Sequence, residues 1–399
     1  MSATAPTTID EAPRYERVKV ILAGICAVIL TVGIARFAYT PMLPVMQSEA
    51  GLTKLAGGWL ATFNYAGYMA GVLMAAFLKD LEHKYRLCRL GLLVALISTV
   101  GMGLTENQYL WVLWRFIAGL SSIAGVLLSA GLVLHWLMHR GHKPELGLHF
   151  SGLGLGIMVS GLAVAAMDGN LSWEQQWIGL ALIGLAFFVP AWIWMPKPLT
   201  AAMDKHPTII AAPPPPRRWM WLFIAAYFCA GFGYVVSSTF IVAIVEAQPV
   251  MAGRGNWVWV ILGISAIPSC FFWDKISAWK GQVAALLLAF VLQTVAIVLP
   301  ALDDGTLSSM VSAILFGNTF VGIVSLTLSL IGRCFPANPA KAMARLTLSY
   351  GVAMVAAPAM AGAIASVTGN YSGALWGTAA VMLVGIGFLL AMLTKWGNS

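Results

Sequence analysis

Two arginines stand where the chain is otherwise apolar: Arg36 within GIARFAYTPMLP and Arg115 within WVLWRFIAG. A guanidinium is a planar fork of donors that meets a carboxylate bidentately. Holding one inside hydrocarbon costs a few kcal/mol or more, so such an arginine faces a cavity or a partner. Arg36 lies eight residues before Pro44 and Arg115 six after Tyr109. At 1.5 Å per residue both sit roughly 9–12 Å in from the same membrane surface. The pair is expected to bind an anionic solute, with a structural role on backbone carbonyls as the alternative for Arg115. No Asp or Glu falls in the core of any apolar run, which leaves the arginines without an internal counter-ion. Proton coupling, where there is any, then falls to histidine or to the solute. His149 is the candidate, on one helical face with Gly152, Gly156 and Ser160; His135 reads as an interface residue.

Polar residues recur at helical spacing in several runs and are expected to line a solute path. They are Tyr39 beside Arg36, Asn64 and Tyr68 in the second run, Tyr234 in the seventh and Asn318 in the tenth. Serines and glycines on the same faces read as interhelical packing. The glycines of GLGLG at 152–156 lie inside an apolar helix with no strand before them, so they pack helices and hold no nucleotide. GxxxxGK[ST] does not occur, and no metal-ligand cluster or nucleophile–base pair falls inside the runs. No cofactor, metal or enzymatic activity is therefore expected. The five cysteines have no metal-type spacing and read as small packing residues.

The elements that hold these groups are set by hydropathy. Of 399 residues, 60% are hydrophobic and 10% charged, against roughly 25% charged in soluble chains. Twelve apolar runs, each long enough to cross about 30 Å of hydrocarbon, are expected at 18–44, 55–78, 87–105, 109–137, 146–167, 174–195, 218–245, 255–273, 281–300, 308–332, 345–367 and 372–394. The fold class is an all-α membrane protein, with the bilayer as its solvent. The net charge of +8 tempts a nucleic-acid reading. Apart from Lys54, Arg254, Arg36 and Arg115, however, every Lys and Arg falls on the side of the termini. Glu49, Glu106, Asp168, Glu174, Glu246, Asp303 and Asp304 fall in the opposite loops. That bias places both termini in the cytoplasm and excludes a nucleic-acid partner. All 16 tryptophans lie near expected span ends, where indole rings favour the headgroup zone. The polar first 17 residues precede a run too long for a cleaved signal, so the run is expected to remain as the first span.

One long polar, proline-rich connection, 196–217, divides six runs from six. The expected organisation is a tail at 1–17, a six-helix bundle at 18–195, the linker, a second bundle at 218–394 and a tail at 395–399. GIARFAYTPMLPVM at 33–46 aligns with GFGYVVSSTFIVAI at 231–244, an offset of 198 that also sets Gly119 on Gly317. Two such halves match the architecture of the major facilitator superfamily. RFIAG at 115–119 resembles that superfamily's helix-four motif, and AAFLKDLEHKYR at 75–86 resembles its loop motif, with Ala76 in place of the first glycine. WDKISAWKG at 273–281 is a weaker second copy. AMVAAPAMAG at 353–362 resembles the small-residue-plus-proline motif, but in helix eleven, while helix five has Gly161 where that motif has proline. The stretches GIARFAYTPMLPVM and AGFGYVVSSTF are similar to the YbfB/YjiJ-type branch. The resemblance implies alternating access, cytoplasmic gate contacts by Asp80, Arg86 and Asp274, a bacterial inner membrane and action as a monomer. The expectation is a secondary transporter for a small organic anion such as a carboxylate. Efflux of hydrophobic or cationic compounds is the alternative within transport. A sensor or assembly factor on the same fold is the alternative outside it.

Overall fold

The computed structural model describes residues 14–78, 80–142, 146–198, 215–335 and 339–397. Of the connection 196–217, residues 199–214 lie outside the described residues, as do most of the first tail, Lys79 of the loop motif and the last two residues. The spans are α1 (Tyr15–Glu49), α2 (Lys54–Phe77), α3 (Leu81–Gly103), α4 (Gln108–His139), α5 (Leu146–Met167) and α6 (Trp173–Trp194). The second half has α7 (Arg217–Glu246), α8 (Gly255–Ala266 with Ser269–Lys280), α9 (Gln282–Leu302), α10 (Thr306–Cys334), α11 (Lys341–Thr368) and α12 (Ser372–Trp396). All twelve expected spans are present. The largest departure is α8, which bends by 49° at Pro268, whose ring removes a donor and clashes with the preceding turn. It then runs on past the expected end at 273.

Helix starts follow local chemistry. Thr53, Asp80, Asn107 and Ser172 each accept a backbone N–H of the first turn of α2, α3, α4 and α6, and Ser172 with Gln175 completes a capping box. Two stretches are wound more loosely, as π-helix: Ile29–Phe37 in α1 and Ala124–Leu128 in α4. Such segments disturb the regular carbonyl ladder and often mark functional positions.

The two halves repeat in their packing. A Cβ on Gly119 of α4 would fall 1.8 Å from the carbonyl of Asn64, and one on Gly317 of α10 would fall 2.2 Å from that of Leu262. Each glycine lies 198 residues from its counterpart, and so does each carbonyl it meets. The register carried by few identities in sequence is thus built into the α2–α4 and α8–α10 contacts. Thr40 donates to the carbonyl of its own counterpart, Ser238, at 2.6 Å, which puts this pair beside the pseudo-two-fold axis between the halves. In GLGLG, Gly152 and Gly156 meet Val28 and Gly33 of α1 while Gly154 meets Gly263 of α8.

Tryptophan placement has a second cause beside the headgroup zone. Trp111, Trp177, Trp219, Trp259 and Trp273 are fully buried. Trp259 Nε1 donates to Ser160 Oγ at 3.1 Å and Trp273 Nε1 to the Asn318 carbonyl at 2.9 Å, so these rings tie helices together.

The glycine contacts yield a paired expectation within α4. Gly119→Ala pushes a methyl against backbone and should destabilise the protein by about 1–3 kcal/mol, the range for overpacking. Gly131→Ala, with nothing within 4 Å, should be neutral or slightly stabilising. Thermal unfolding of the two purified variants in one detergent measures both.

Candidate functional site

Both arginines are buried, Arg36 at 5% and Arg115 at 2% exposure, and they are held in different ways. Arg115 reaches from α4 to α1, donating through its two Nη atoms to the carbonyls of Ala35 at 3.1 Å and Arg36 at 3.0 Å. Both carbonyls lie at the end of the loosely wound stretch, and Pro41, five residues after Arg36, has no N–H to offer the Arg36 carbonyl. The ring of Tyr39 lies 4.4 Å from the same guanidinium. Asn64 Nδ2 donates to the carbonyl of Arg115 at 2.8 Å, tying α2 to the same junction. Arg115 and Asn64 therefore brace α1, α2 and α4.

Arg36 has no such bonds. Its Nε and one Nη are buried without a hydrogen-bond partner, and no carboxylate pairs with it among the described residues. Aromatic rings take up its surroundings: Tyr68 at 4.3 Å, Tyr65 at 4.7 Å and Phe37 at 5.3 Å from the guanidinium carbon. The second half continues this lining. Tyr65 meets Tyr234 edge to face at 6.3 Å. Tyr234 stacks on Phe320 at 5.5 Å and on Tyr350 at 5.9 Å, and Tyr350 stacks on Tyr227 at 4.6 Å. The result is one guanidinium from the first half facing a wall of phenol rings shared by both. The rings attract its charge through their faces and leave its N–H groups for another acceptor.

Of the residues singled out in sequence, Arg36, Tyr68 and Tyr234 meet in this cluster. Arg115, Tyr39 and Asn64 form the brace beside it, and the Tyr39 hydroxyl donates to the Gly57 carbonyl at 2.9 Å. Asn318 is not brought in by its visible bonds. Its carbonyl accepts from Ser269 Oγ and Trp273 Nε1 of α8, and Phe320 is the residue α10 sends to Tyr234. Phe320 went unread in sequence because it is as apolar as its surroundings, and Tyr350 because no polar stripe was traced through its helix. Tyr65 and Tyr227 lay on the polar stripes without being chosen.

His149 is fully buried within the first half, its Nε2–H donating to the Gly125 carbonyl in the π-helical part of α4 at 3.0 Å. Ten residues along α4 separate Gly125 from Arg115, about 15 Å at 1.5 Å per residue, so it stands apart from the cluster. Asp80, Arg86 and Asp274 are drawn into no shared contact. Asp80 caps α3 and pairs with His83, and Arg86 Nε bonds Glu82 at 3.0 Å. Asp274 is exposed. The hydrogen bond from His83, then that from the Glu82 N–H, holds the Asp80 carboxyl below its ordinary range.

Immediately beyond the cluster, at the end opposite the termini, the halves are joined. Besides Thr40 on Ser238, the Tyr65 hydroxyl lies 3.2 Å from Ser238 Oγ. Thr62 Oγ1 donates to the Val355 carbonyl at 2.9 Å and accepts from Ala359 N at 3.1 Å, entering the α11 ladder next to Pro358. Gly58 meets Pro358 and Gly362 backbone, and Lys54 Nζ donates to the Gly369 carbonyl at 2.6 Å.

Twelve spans in two repeating halves, joined across a charged and aromatic centre, define a polytopic membrane protein of the major facilitator fold. A family model described as "Uncharacterised MFS-type transporter YbfB" matches residues 28–390, and the chain belongs to that family. It is similar to the uncharacterized MFS-type transporter YcaD of Salmonella arizonae, 26% identical over 170 residues, 42% of this chain and 43% of that one. It is also similar to the uncharacterized transporter mfc1 of Schizosaccharomyces pombe, 25% identical over 150 residues, 37% of this chain and 30% of that one. The matches thus span less than half of either relative. Among solved structures, nucleoside transporter NupG superposes with a TM-score of 0.72 at 13% identity, covering 96% of this chain and 99% of that one. A bacterial homolog of the human lysosomal transporter Spinster, inward-facing and occupied, superposes at 0.67 with 15% identity, covering 96% and 98%. At these identities the two structures show the fold.

The two arginines should respond oppositely to neutralisation. Arg115→Gln removes two charged hydrogen bonds, each worth roughly 1.5–3 kcal/mol, and should lower the thermal midpoint clearly. Arg36→Gln removes an unpartnered buried charge and should leave the midpoint level or raise it. Thermal unfolding of both variants without added solute measures the difference.

Proposed function

We propose that the chain is a secondary active carrier of a small organic anion, with Arg36 as the residue that takes the anionic group. The observation carrying this reading is the buried Arg36 guanidinium with N–H groups free of protein acceptors. A buried charge without a partner is costly, and an anion that bonds it offsets that cost strongly because the surroundings are apolar. The phenol rings of Tyr65, Tyr68, Tyr234 and Tyr350 favour a solute whose carboxylate is attached to a planar, apolar body. Tyr39 and Asn64 serve this site by holding Arg115, and so the α1 carbonyls, in place.

Alternating access fits the contacts at the closed end. They are hydroxyl–carbonyl bonds and glycine contacts between the halves, each bond worth about 1 kcal/mol net, so they can open and reform. With both termini in the cytoplasm of a bacterial inner membrane, the end joined by these hydroxyl–carbonyl bonds faces outward. A single chain holds the whole site, in keeping with action as a monomer. Asp80, Arg86 and Asp274 belong to the opposite end, where on this reading they would form gate contacts in another arrangement of the halves.

The test is thermal stabilisation and vesicle uptake with aliphatic carboxylates, aromatic carboxylates, nucleosides and lipophilic cations, beside Arg36→Gln. Nucleosides belong in the panel because NupG is named for them and a planar base also stacks on phenol rings. A solute at 100 times its dissociation constant stabilises by about 2.7 kcal/mol. Aromatic carboxylates should shift the wild type most and be taken up, and the Arg36 variant should lose both responses. If nucleosides or cations shift both proteins equally, the anion assignment is wrong. Stabilisation without uptake would point to a sensor.

A further inference from the structure

A second site lies on the outer wall of the first half. At the end of the bundle that carries the termini, α3 and α6 frame a crevice of about 520 Å³. Its rim is cationic. Arg89 of α3 lies with its guanidinium carbon 3.7 Å from the ring of Trp192 on α6, and its Nη1 donates to the Tyr85 hydroxyl at 3.3 Å. The Arg89 Nε is buried without a hydrogen-bond partner. Lys197, just past the end of α6, and Arg86 complete the basic side, with Glu82 as the one carboxylate. Glu82 bonds Arg86, so Arg89 and Lys197 are the cations that no carboxylate of the crevice neutralises. Leu90, next to Arg89, and Leu93, one helical turn further into the span, line the same crevice and are 53% and 41% exposed.

We propose that this crevice binds an anionic glycerophospholipid, the phosphodiester on Arg89 and Lys197 and an acyl chain on Leu90 and Leu93. The order of groups along α3 is that of an amphiphile, charge at the end of the span and apolar surface deeper in. Arginine meets phosphate oxygens through several donors at once, and the Trp192 ring 3.7 Å away holds the guanidinium at the crevice. Basic pockets between transmembrane helices bind anionic headgroups in this way. A zwitterionic lipid brings the same phosphodiester but cancels its charge, so a crevice with two unneutralised cations discriminates against it. A free phosphate would satisfy the rim alone and make no use of the leucines. The site shares no residue with the Arg36 cluster and stands whether or not that cluster binds an anion.

The experiment is native mass spectrometry of the full chain in detergent, titrated with phosphatidylglycerol, phosphatidylcholine or inorganic phosphate. The proteins compared are the wild type, Arg89→Gln, Lys197→Gln and, as a basic control elsewhere at the same end, Arg333→Gln. Phosphatidylglycerol should remain bound to the wild type and the control, and more strongly than phosphatidylcholine. Arg89→Gln should weaken it by about fivefold, given the attraction of each cation near the surface. Lys197→Gln, an exposed change with no folding burden, should weaken it in the same direction and guards against a misfolded Arg89 variant. Equal retention of the two lipids, or equal retention by all four proteins, overturns the assignment. So does displacement of phosphatidylglycerol by inorganic phosphate at matched concentration, which would make this a phosphate site.

Discussion

The contact on which the centre depends is the bidentate bond from Arg115 to the carbonyls of Ala35 and Arg36. It replaces the water that a guanidinium buried at this depth would otherwise need, and each charged bond of this kind is worth roughly 1.5–3 kcal/mol. The two carbonyls stand at the end of the loosely wound residues 29–37, and Arg115 bonds both. The bond also settles which guanidinium is available. Both Nη atoms of Arg115 are engaged by backbone, and its charge rests on Tyr39. Arg36, whose own carbonyl is part of the brace, is held by that brace with its side chain aimed at the rings of α2.

Around this junction the two halves keep one packing plan and diverge in chemistry. Gly119 and Gly317 make the same close approach to the same carbonyl position, because interhelical spacing inside lipid depends on small residues that let backbones meet. The side chains at the centre are under no such constraint. The position 198 residues after Arg36 is Tyr234, and that after Arg115 is Ala313. The first half therefore supplies the cation and the second supplies the stacked rings of Tyr227, Tyr234, Phe320 and Tyr350. A solute that touches both wall and cation bridges the halves, which an identical pair of halves would do only for a symmetric solute.

The spans were legible because hydrocarbon imposes a length and a composition on every segment that crosses it, and the end of α5 at Met167 fell where hydropathy put it. The bend of α8 was not read, although Pro268 stood in plain view, because proline in a membrane helix is often absorbed by its neighbours. The two arginines could be found as misfits but not separated. What separates them is the winding of α1, a property of backbone hydrogen bonding that no side-chain pattern reports. Asn318 was chosen on polarity, and the bonds the structure gives it run through its backbone carbonyl, to Ser269 and Trp273 of α8. Facing direction in an all-apolar environment is set by which neighbour fits, so a polar stripe marks a contact without saying with what.

The contacts that join the halves and the Arg36 cluster are one helical turn apart, and in the proposed carrier this proximity would be the physical basis for coupling them. Tyr65 takes part in both, its ring beside Arg36 and its hydroxyl on Ser238 of the other half. Thr40, four residues after Arg36, holds the Ser238 carbonyl. Thr62, three residues before Tyr65, sits in the α11 ladder at Pro358. An anion that bonds Arg36 and shifts the ring of Tyr65 must act on the hydroxyl at the other end of the same side chain. The contacts it would disturb are few and individually near 1 kcal/mol, so a differential affinity of a few kcal/mol between the two arrangements is enough to move the population. A closed end built from buried ion pairs would resist that scale of change. One built from hydroxyls, glycines and a proline gap is suited to respond to it in the proposed carrier.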